Sequence, residues 1–473
     1  MEVSRQFGRW LMPGTEATAM KPWTFGLAVL LLISAAGAFV APGGPATDAS
    51  LLSAGDTAWL LTASAMVLLM TPGLSFFYGG MVRPKNVIST MLQSFIAMAV
   101  ISLLWVTVGF SLAFGDSIGG EGFGLVGNPA TFFLFKDVGG SPNPAFAATI
   151  PFALFAMFQM KFAIITPALV TGSFAERVRF SAYLLFMLLF AVLVYAPLAH
   201  WTWHPNGFLR NWGVLDFAGG TVVHMSAGVA ALAGAIALGR RKDYAAGMAH
   251  PPANIPYVLI GTGLLWFGWF GFNAGSSLAA NDIAVSAFMT TNTASAAAAL
   301  GWVFFDGIRG RKPSALGACI GAVVGLVAIT PAAGFVSVGS AIAIGTFAAM
   351  TCNIVAHWRS KSALDDTLDV FPCHGVGGMF GMLATGIFAS KAVNPAGADG
   401  LLYGGTKLFL MHLLAMVIVC GYTFVVSYGI FKLVGLIVPL RVTADDEQEG
   451  LDRSQHGESI IATEAQLGLA GGE

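Results

Sequence analysis

Apolar residues run in long unbroken blocks along this chain, and the polar residues collect in short clusters between them. A helix that crosses a membrane needs about 20 predominantly apolar residues. With that window, spans fall near 55–79, 88–114, 149–174, 180–198, 218–239, 254–275, 285–307, 314–331, 336–357, 370–390 and 406–438. The pattern predicts eleven transmembrane helices. It does not fit an outer-membrane barrel, which reads as short alternating segments. The longest connection, 115–148, is rich in Gly, Pro and acidic residues and reads as an external loop.

Composition agrees with the pattern. Of 473 residues, 56% are hydrophobic and only 10% charged, against about 25% charged in a soluble domain. Single soluble cores stop growing near roughly 250–300 residues, so a soluble chain this long would need several polar-surfaced domains. Too few charges are present to clothe them. The mean hydropathy is +0.76, and a net charge of −1 gives no sign of a nucleic-acid partner.

The few charges orient the chain. Alternate loops hold Arg83/Lys85, Arg177/Arg179, Arg240/Arg241/Lys242, Arg309/Arg311/Lys312 and Arg359/Lys361, with Arg441 after the last span. The opposite set holds only Lys136, Arg210, Lys391 and Lys407. Cytoplasmic loops concentrate Lys and Arg, so the expectation is N-out, C-in, which requires an odd number of spans. Residues 1–38 read as a signal peptide, with Met20 an alternative start. Lys21 is its positive flank, Phe25 to Ile33 its apolar core and Ala36-Gly37-Ala38 its small-residue cleavage site. An uncleaved extra helix is the other reading. The expected organisation is that leader, a membrane domain over 55–438, and a cytoplasmic tail over 439–473. Cys319, Cys352, Cys373 and Cys420 lack CxxC spacing and read as buried small hydrophobes.

Eleven spans divide as five plus five plus one. The fifth contains His224 and Gly228, the tenth His374 and Gly378, and an Asp precedes each, Asp216 and Asp369. Because five is odd, a second copy would insert upside down, and inverted repeats place transport sites between the halves. Ionisable groups within a span are costly and face a bundle interior or cavity. Either histidine alone reads as a packing residue, whereas the matched pair points to function, with one imidazole donating and the other accepting. No third ligand suggests zinc, and no cofactor or enzymatic chemistry is implied. Asp216 is placed to cap the fifth helix. Phe162, Trp203 (assigned to an external loop), Trp269 and Phe272 gather near the expected external ends; they read equally as an interfacial belt or a cation-attracting cluster. Lys161 is expected to snorkel to an interface. Gly261, Gly263, Gly268, Gly271 and Gly275 favour close helix packing in the sixth span.

Five stretches carry a resemblance: Phe76-Phe77-Tyr78-Gly79-Gly80, Ala175-Glu176-Arg177, Asp216-Phe217-Ala218-Gly219-Gly220-Thr221-Val222-Val223-His224, Gly268-Trp269-Phe270-Gly271-Phe272-Asn273-Ala274-Gly275-Ser276 and Asp369-Val370-Phe371-Pro372-Cys373-His374-Gly375. They resemble the ammonium transporter family (Amt/Mep/Rh), its bacterial Amt branch most, from about residue 55 to His456. The resemblance implies an all-α integral membrane protein: two inverted five-helix repeats plus a C-terminal helix, assembled as a homotrimer in the bacterial inner membrane. It implies external recruitment of ammonium by Phe162, Trp203 and Ser276, a gate of stacked Phe162 and Phe272, and a pore lined by His224 and His374. Asp216 is implied as structural support. The tail from Leu440 to Glu458 resembles one that couples subunits and answers to PII-type signalling proteins; by composition alone it is a solvated acidic extension. Two departures, His204-Pro205-Asn206 after Trp203 and Lys161, imply an altered outer mouth.

The implied activity is ammonium transport: recruitment, deprotonation, and passage of ammonia through an apolar pore. Desolvation lowers an amine's pKa by up to several units. An ammonium sensor acting through the tail is the alternative, and a Rhesus-type gas channel is a third reading that Trp203 and Ser276 oppose.

Overall fold

The computed structural model describes residues 21–460, apart from Pro42, Ala246 and 248–250. Met20 and the residues before it, and the tail beyond Ile460, lie outside the described residues. Helix α1, Lys21–Gly37, is exposed along most of its length. There follow α2 (Ala54–Met81), α3 (Pro84–Phe114), α4 (Phe152–Ser173), α5 (Phe180–Trp203), α6 (Gly220–Leu238), α7 (Ile255–Gly275) and α8 (Asp282–Ile308). Then come α9 (Ala315–Ile329), α10 (Val338–Ser360), α11 (371–388) and α12 (Thr406–Ile437). Two short helices, α13 (Ala444–Glu449) and α14 (Leu451–His456), complete the series. Among the described residues the only sheet is a two-stranded ribbon, Ser117–Ile118 with Val126–Gly127.

Every predicted span is occupied by helix, but not every helix has full crossing length. Nine among the described residues are long and apolar enough. Helix α9 has 15 residues, about 22 Å of rise, against a hydrocarbon core of about 30 Å. The 20-residue window overran it because the apolar stretch after Ile329 contains Pro331 and forms turns.

Burial is inverted relative to a soluble bundle. Large apolar side chains such as Phe95, Phe267, Phe304, Phe347, Val417 and Val425 are exposed, whereas Ser226, Thr221, Asn273 and Thr291 are fully buried. In water such a surface would aggregate; in a bilayer it meets lipid tails. This is a multi-pass membrane protein.

Glycine sets the tightest contacts. A Cβ added to Gly261, Gly268, Gly271 or Gly275 would strike α2 within 2.2–2.8 Å, whereas Gly263 has nothing within 4 Å. Four of the five glycines therefore seat α7 on α2, and Gly263 faces away. At the centre, a Cβ on Gly228 of α6 would lie 2.0 Å from the backbone nitrogen of Gly375 in α11, and one on Gly378 would lie 3.0 Å from that of Met225. These contacts are reciprocal at one sequence offset, 225 with 378 and 228 with 375. A two-fold relation between α6 and α11 produces that pattern.

Candidate functional site

Helices α6 and α11 both begin on wide π turns, Gly220–Met225 and Phe371–Val376, which carry His224 and His374 respectively. Such turns are rare and frequently mark functional sites. The start of α6 is fixed by Asp216. Its carboxylate accepts the N–H groups of Gly219 (2.8 Å), Gly220 (2.6 Å) and Thr221 (2.7 Å) and the Thr221 hydroxyl. Gly219 turns at φ 114°, a conformation that favours glycine. A negative charge at this helix end also meets the positive end of the dipole.

The counterpart in α11 is Asp366, not Asp369. The Asp366 carboxylate accepts the N–H groups of Val370 (3.1 Å) and Phe371 (2.8 Å). It lies eight residues before His374, as Asp216 lies before His224. Asp369 instead adopts φ 57° and pairs with Arg359 at 2.7 Å. Spacing to the apolar run pointed to Asp369; the helix start decides for Asp366. Burial raises the Asp366 carboxyl to about 6, with Asp369 adding repulsion.

His224 and His374 are almost wholly buried, and their Nδ1 atoms lie 3.3 Å apart. Only one of two facing nitrogens can carry the proton, so the neutral rings hold opposite tautomers. The Nε2 of His224 has no protein partner. Trp269 stacks on His224 with centroids 5.3 Å apart and donates to Thr330 at 2.9 Å. Trp269 thus packs beside the paired imidazoles, deeper than the external cluster to which its position assigned it.

Phe272 lies 6.0 Å from His224 and 5.6 Å from Trp269, and stacks on Phe162 at 4.1 Å. Phe162, Trp203 and Ser276 line a cavity of about 150 Å³ beyond that stack. Ser276 Oγ donates to the Phe272 carbonyl at 2.8 Å, leaving its lone pairs free to accept. Trp203 stands edge-on to Phe162 (6.0 Å) and donates to the Asp216 carbonyl at 3.1 Å. It is the last residue of α5, not a loop residue as expected. The polar His200 shortened the apparent span, but its nitrogens are satisfied by Ser117 Oγ (2.7 Å) and the Ala113 carbonyl (2.9 Å). On the far side of the imidazoles, His374 borders a pocket of about 10 Å³ shared with Phe77, Tyr78, Met81 and Cys373. That is near the smallest space one water fills.

A continuous file of contacts results: cavity, phenylalanine stack, His224, His374, small pocket. It joins Phe162, Trp203, Ser276, Phe272, His224, His374 and Asp216. Phe155, Gln159, Phe146, Phe217 and Arg210 also line the cavity and were missed. Phe155, Gln159 and Phe162 fall on one face of α4 at helical spacing, a signal present in the sequence. Phe146 and Phe217 arrive from loops and Arg210 from the short helix Phe208–Asn211, and these had none. Lys161 contradicts its expectation: it is 8% exposed, with Nζ against Met160 Sδ at 3.8 Å, so it does not snorkel to a surface.

The opposite end of the bundle is tied by buried charges. Glu176 receives Arg83 (2.9 Å) and Arg241 (2.7 Å), and Arg241 forks onto Asp365. Burial alone would push the Glu176 carboxyl up; Arg241 and Arg83 hold it below the usual range. The described part of the tail docks here rather than extending into solvent. Asp452 accepts the N–H groups of Ile88 (3.1 Å) and Ser89 (2.8 Å) at the start of α3, and Glu447 pairs with Arg441 at 2.6 Å.

Comparison with known proteins gives the same answer along the whole bundle. The sequence model of the Ammonium Transporter Family matches residues 58–461. The ammonium transporter of Bacillus subtilis (strain 168) is 48% identical over 409 residues, 85% of this chain and 98% of that protein. The crystal structure of Mep2 from Saccharomyces cerevisiae superimposes with a TM-score of 0.78 at 36% identity, covering 84% of this chain and 89% of that one. A solved structure titled Sensor Amt Protein aligns with a TM-score of 0.77 at 30% identity, over 85% of this chain and 98% of that one. This chain belongs to the ammonium transporter family.

Proposed function

We propose that this protein moves ammonium nitrogen inward across the bacterial inner membrane. Ammonium enters the cavity of Phe162, Trp203 and Ser276, where aromatic faces attract the cation and the Ser276 oxygen accepts an N–H. It gives its proton back to external water at the cavity mouth, passes the Phe162–Phe272 stack, and continues as ammonia along His224 and His374. The direct imidazole contact beneath that stack carries the reading. A buried apolar path makes a bare cation costly and a neutral amine cheap, and the His pair supplies hydrogen bonds within it. Potassium has no proton to lose and is rejected.

The finer architecture belongs to the same proposal. The protomer has eleven spans, N-out and C-in, in two inverted repeats plus α12. Reciprocal packing of α6 and α11 supports the repeats, and the loop charges support the orientation. Helix α1 is a leader removed near residues 36–38; the segment after it is already tied to the long loop, Gly140 N–H to the Gly44 carbonyl at 2.8 Å. Protomers assemble as homotrimers, for which an open apolar groove beside Trp59, Phe288 and Met289 offers a surface. A PII-type protein meets the docked tail.

The test is reconstitution, with currents recorded after ammonium and potassium pulses for the parent chain and for His224→Ala combined with His374→Ala. The double variant should lose ammonium selectivity. If it keeps the parent's ammonium transport and potassium exclusion, the twin-His role is wrong. A sensing role is favoured by the likeness to the Sensor Amt Protein and by the docked tail. Ammonium flux in a strain lacking its own transporters, with and without the tail, separates the two.

A further inference from the structure

The outer cavity is built for a cation, yet the one charged residue lining it among the described residues is positive. Arg210 lies on the short helix Phe208–Asn211, exposed at the rim, and borders the same space as Trp203, Phe162 and Ser276. Its Nη1 donates to the Trp203 carbonyl at 2.7 Å, which holds the guanidinium beside the aromatic wall. The Asp216 carboxylate does not cancel it. That carboxylate accepts three N–H groups and a hydroxyl at the positive end of α6, so the helix end offsets part of its charge.

We propose that Arg210 is an electrostatic brake that lowers the cavity's affinity for ammonium and thereby sets the external concentration at which transport saturates. The inference rests on the transport reading above and adds a residue to it. An arginine is charged at every accessible pH, so the brake is permanent, unlike a titratable gate. It acts before the Phe162–Phe272 stack, on occupancy of the cavity alone, and leaves the later passage of ammonia unaltered. The transport KM carries the effect and the maximal rate does not.

The size follows from Coulomb repulsion across a water-filled cavity: like charges roughly 8–10 Å apart in a water-like dielectric shift an affinity about two- to threefold. Salt weakens it, since the screening length falls from about 30 Å at 0.01 M to about 8 Å at 0.15 M.

Methylammonium uptake into proteoliposomes of the full chain tests this, with ionic strength set by a bulky-cation chloride that does not compete. At low salt, Arg210→Gln, which keeps hydrogen-bond donors without charge, should lower KM about two- to threefold at unchanged maximal rate. Arg210→Lys should stay near the parent. Raising salt should lower the parent's KM toward that of Arg210→Gln and leave the variant's unmoved. An unchanged or raised KM in Arg210→Gln overturns the brake and leaves Arg210 as a prop for Trp203. So does an Arg210→Lys that behaves as Arg210→Gln. Uptake absent from the parent chain itself overturns the transport reading instead, a distinguishable result.

Discussion

The two histidine-bearing helices share one backbone device and differ in what surrounds it. Helix α6 starts on a carboxylate with four donors, beside an aromatic cavity of about 150 Å³. Helix α11 starts on a carboxylate with two, and its histidine borders a pocket of only about 10 Å³. Repetition supplied the pair of imidazoles and the crossing that brings them together. The linings differ: Phe162, Trp203, Ser276 and Arg210 border the larger cavity, and Phe77, Tyr78 and Met81 the smaller pocket. Two matched helix starts thus carry unlike surroundings, which the transport reading proposed above turns into recruitment at one mouth and release at the other.

The crossing itself should be the easiest part to break. Gly228→Ala drives a methyl into the Gly375 backbone, and overpacking of this kind costs typically 1–3 kcal/mol or more. With the contact at 2.0 Å, a loss of about 3 kcal/mol is expected, read as a lowered thermal midpoint in detergent. Gly378→Ala, whose nearest atoms lie at 3.0 Å, should cost about 1 kcal/mol by the same principle. Equal effects would show that the two-fold contacts are not graded as the distances say.

The asymmetry of the mouths is sharpened by Trp203→Leu. Losing a desolvated cation–π partner worth about 1–2 kcal/mol should raise the methylammonium KM roughly ten-fold. Met81→Leu at the small pocket should leave KM within about twofold, because volume-conserving swaps are well tolerated. If both variants move KM alike, recruitment is not confined to one end.

A further modest effect concerns the Asp366 cap. Burial holds the proton of Asp366 up to about 6 in the folded chain, above the ordinary carboxylate range. A raised folded pKa gives stability that is present below the unfolded value and lost as pH rises through the folded one. Between pH 5 and pH 7 the chain should therefore lose about 1 kcal/mol at this group. Asp366→Asn cannot ionise and should flatten the thermal midpoint across that window. A variant with the parent's slope would place the titration elsewhere.

Much of this was legible in the sequence because lipid imposes a simple code. Continuous apolar length located the helices, and the matched His224 and His374 marked the pair before any contact was known. Legibility failed where backbone geometry or a distant loop decided. Asp369 sits closer to the apolar run than Asp366, yet the helix start, not hydropathy, chooses the cap. His200 looked like the end of a span because its partners, Ser117 and the Ala113 carbonyl, lie more than 80 residues away. Lys161 looked like an interfacial residue because a lone sequence cannot say that α4 is surrounded.

The sequence by itself determined a multi-pass membrane protein with few charges, a repeated His–Gly signal and a family, since burying apolar length and excluding charge are local requirements. Only the tertiary structure decided which carboxylate caps α11, that the tail folds back onto the start of α3, and that Arg210 stands beside the aromatic cavity. Those depend on pairs of residues far apart in the chain. Their free energy arises from distance and desolvation, and neither exists until the helices have packed.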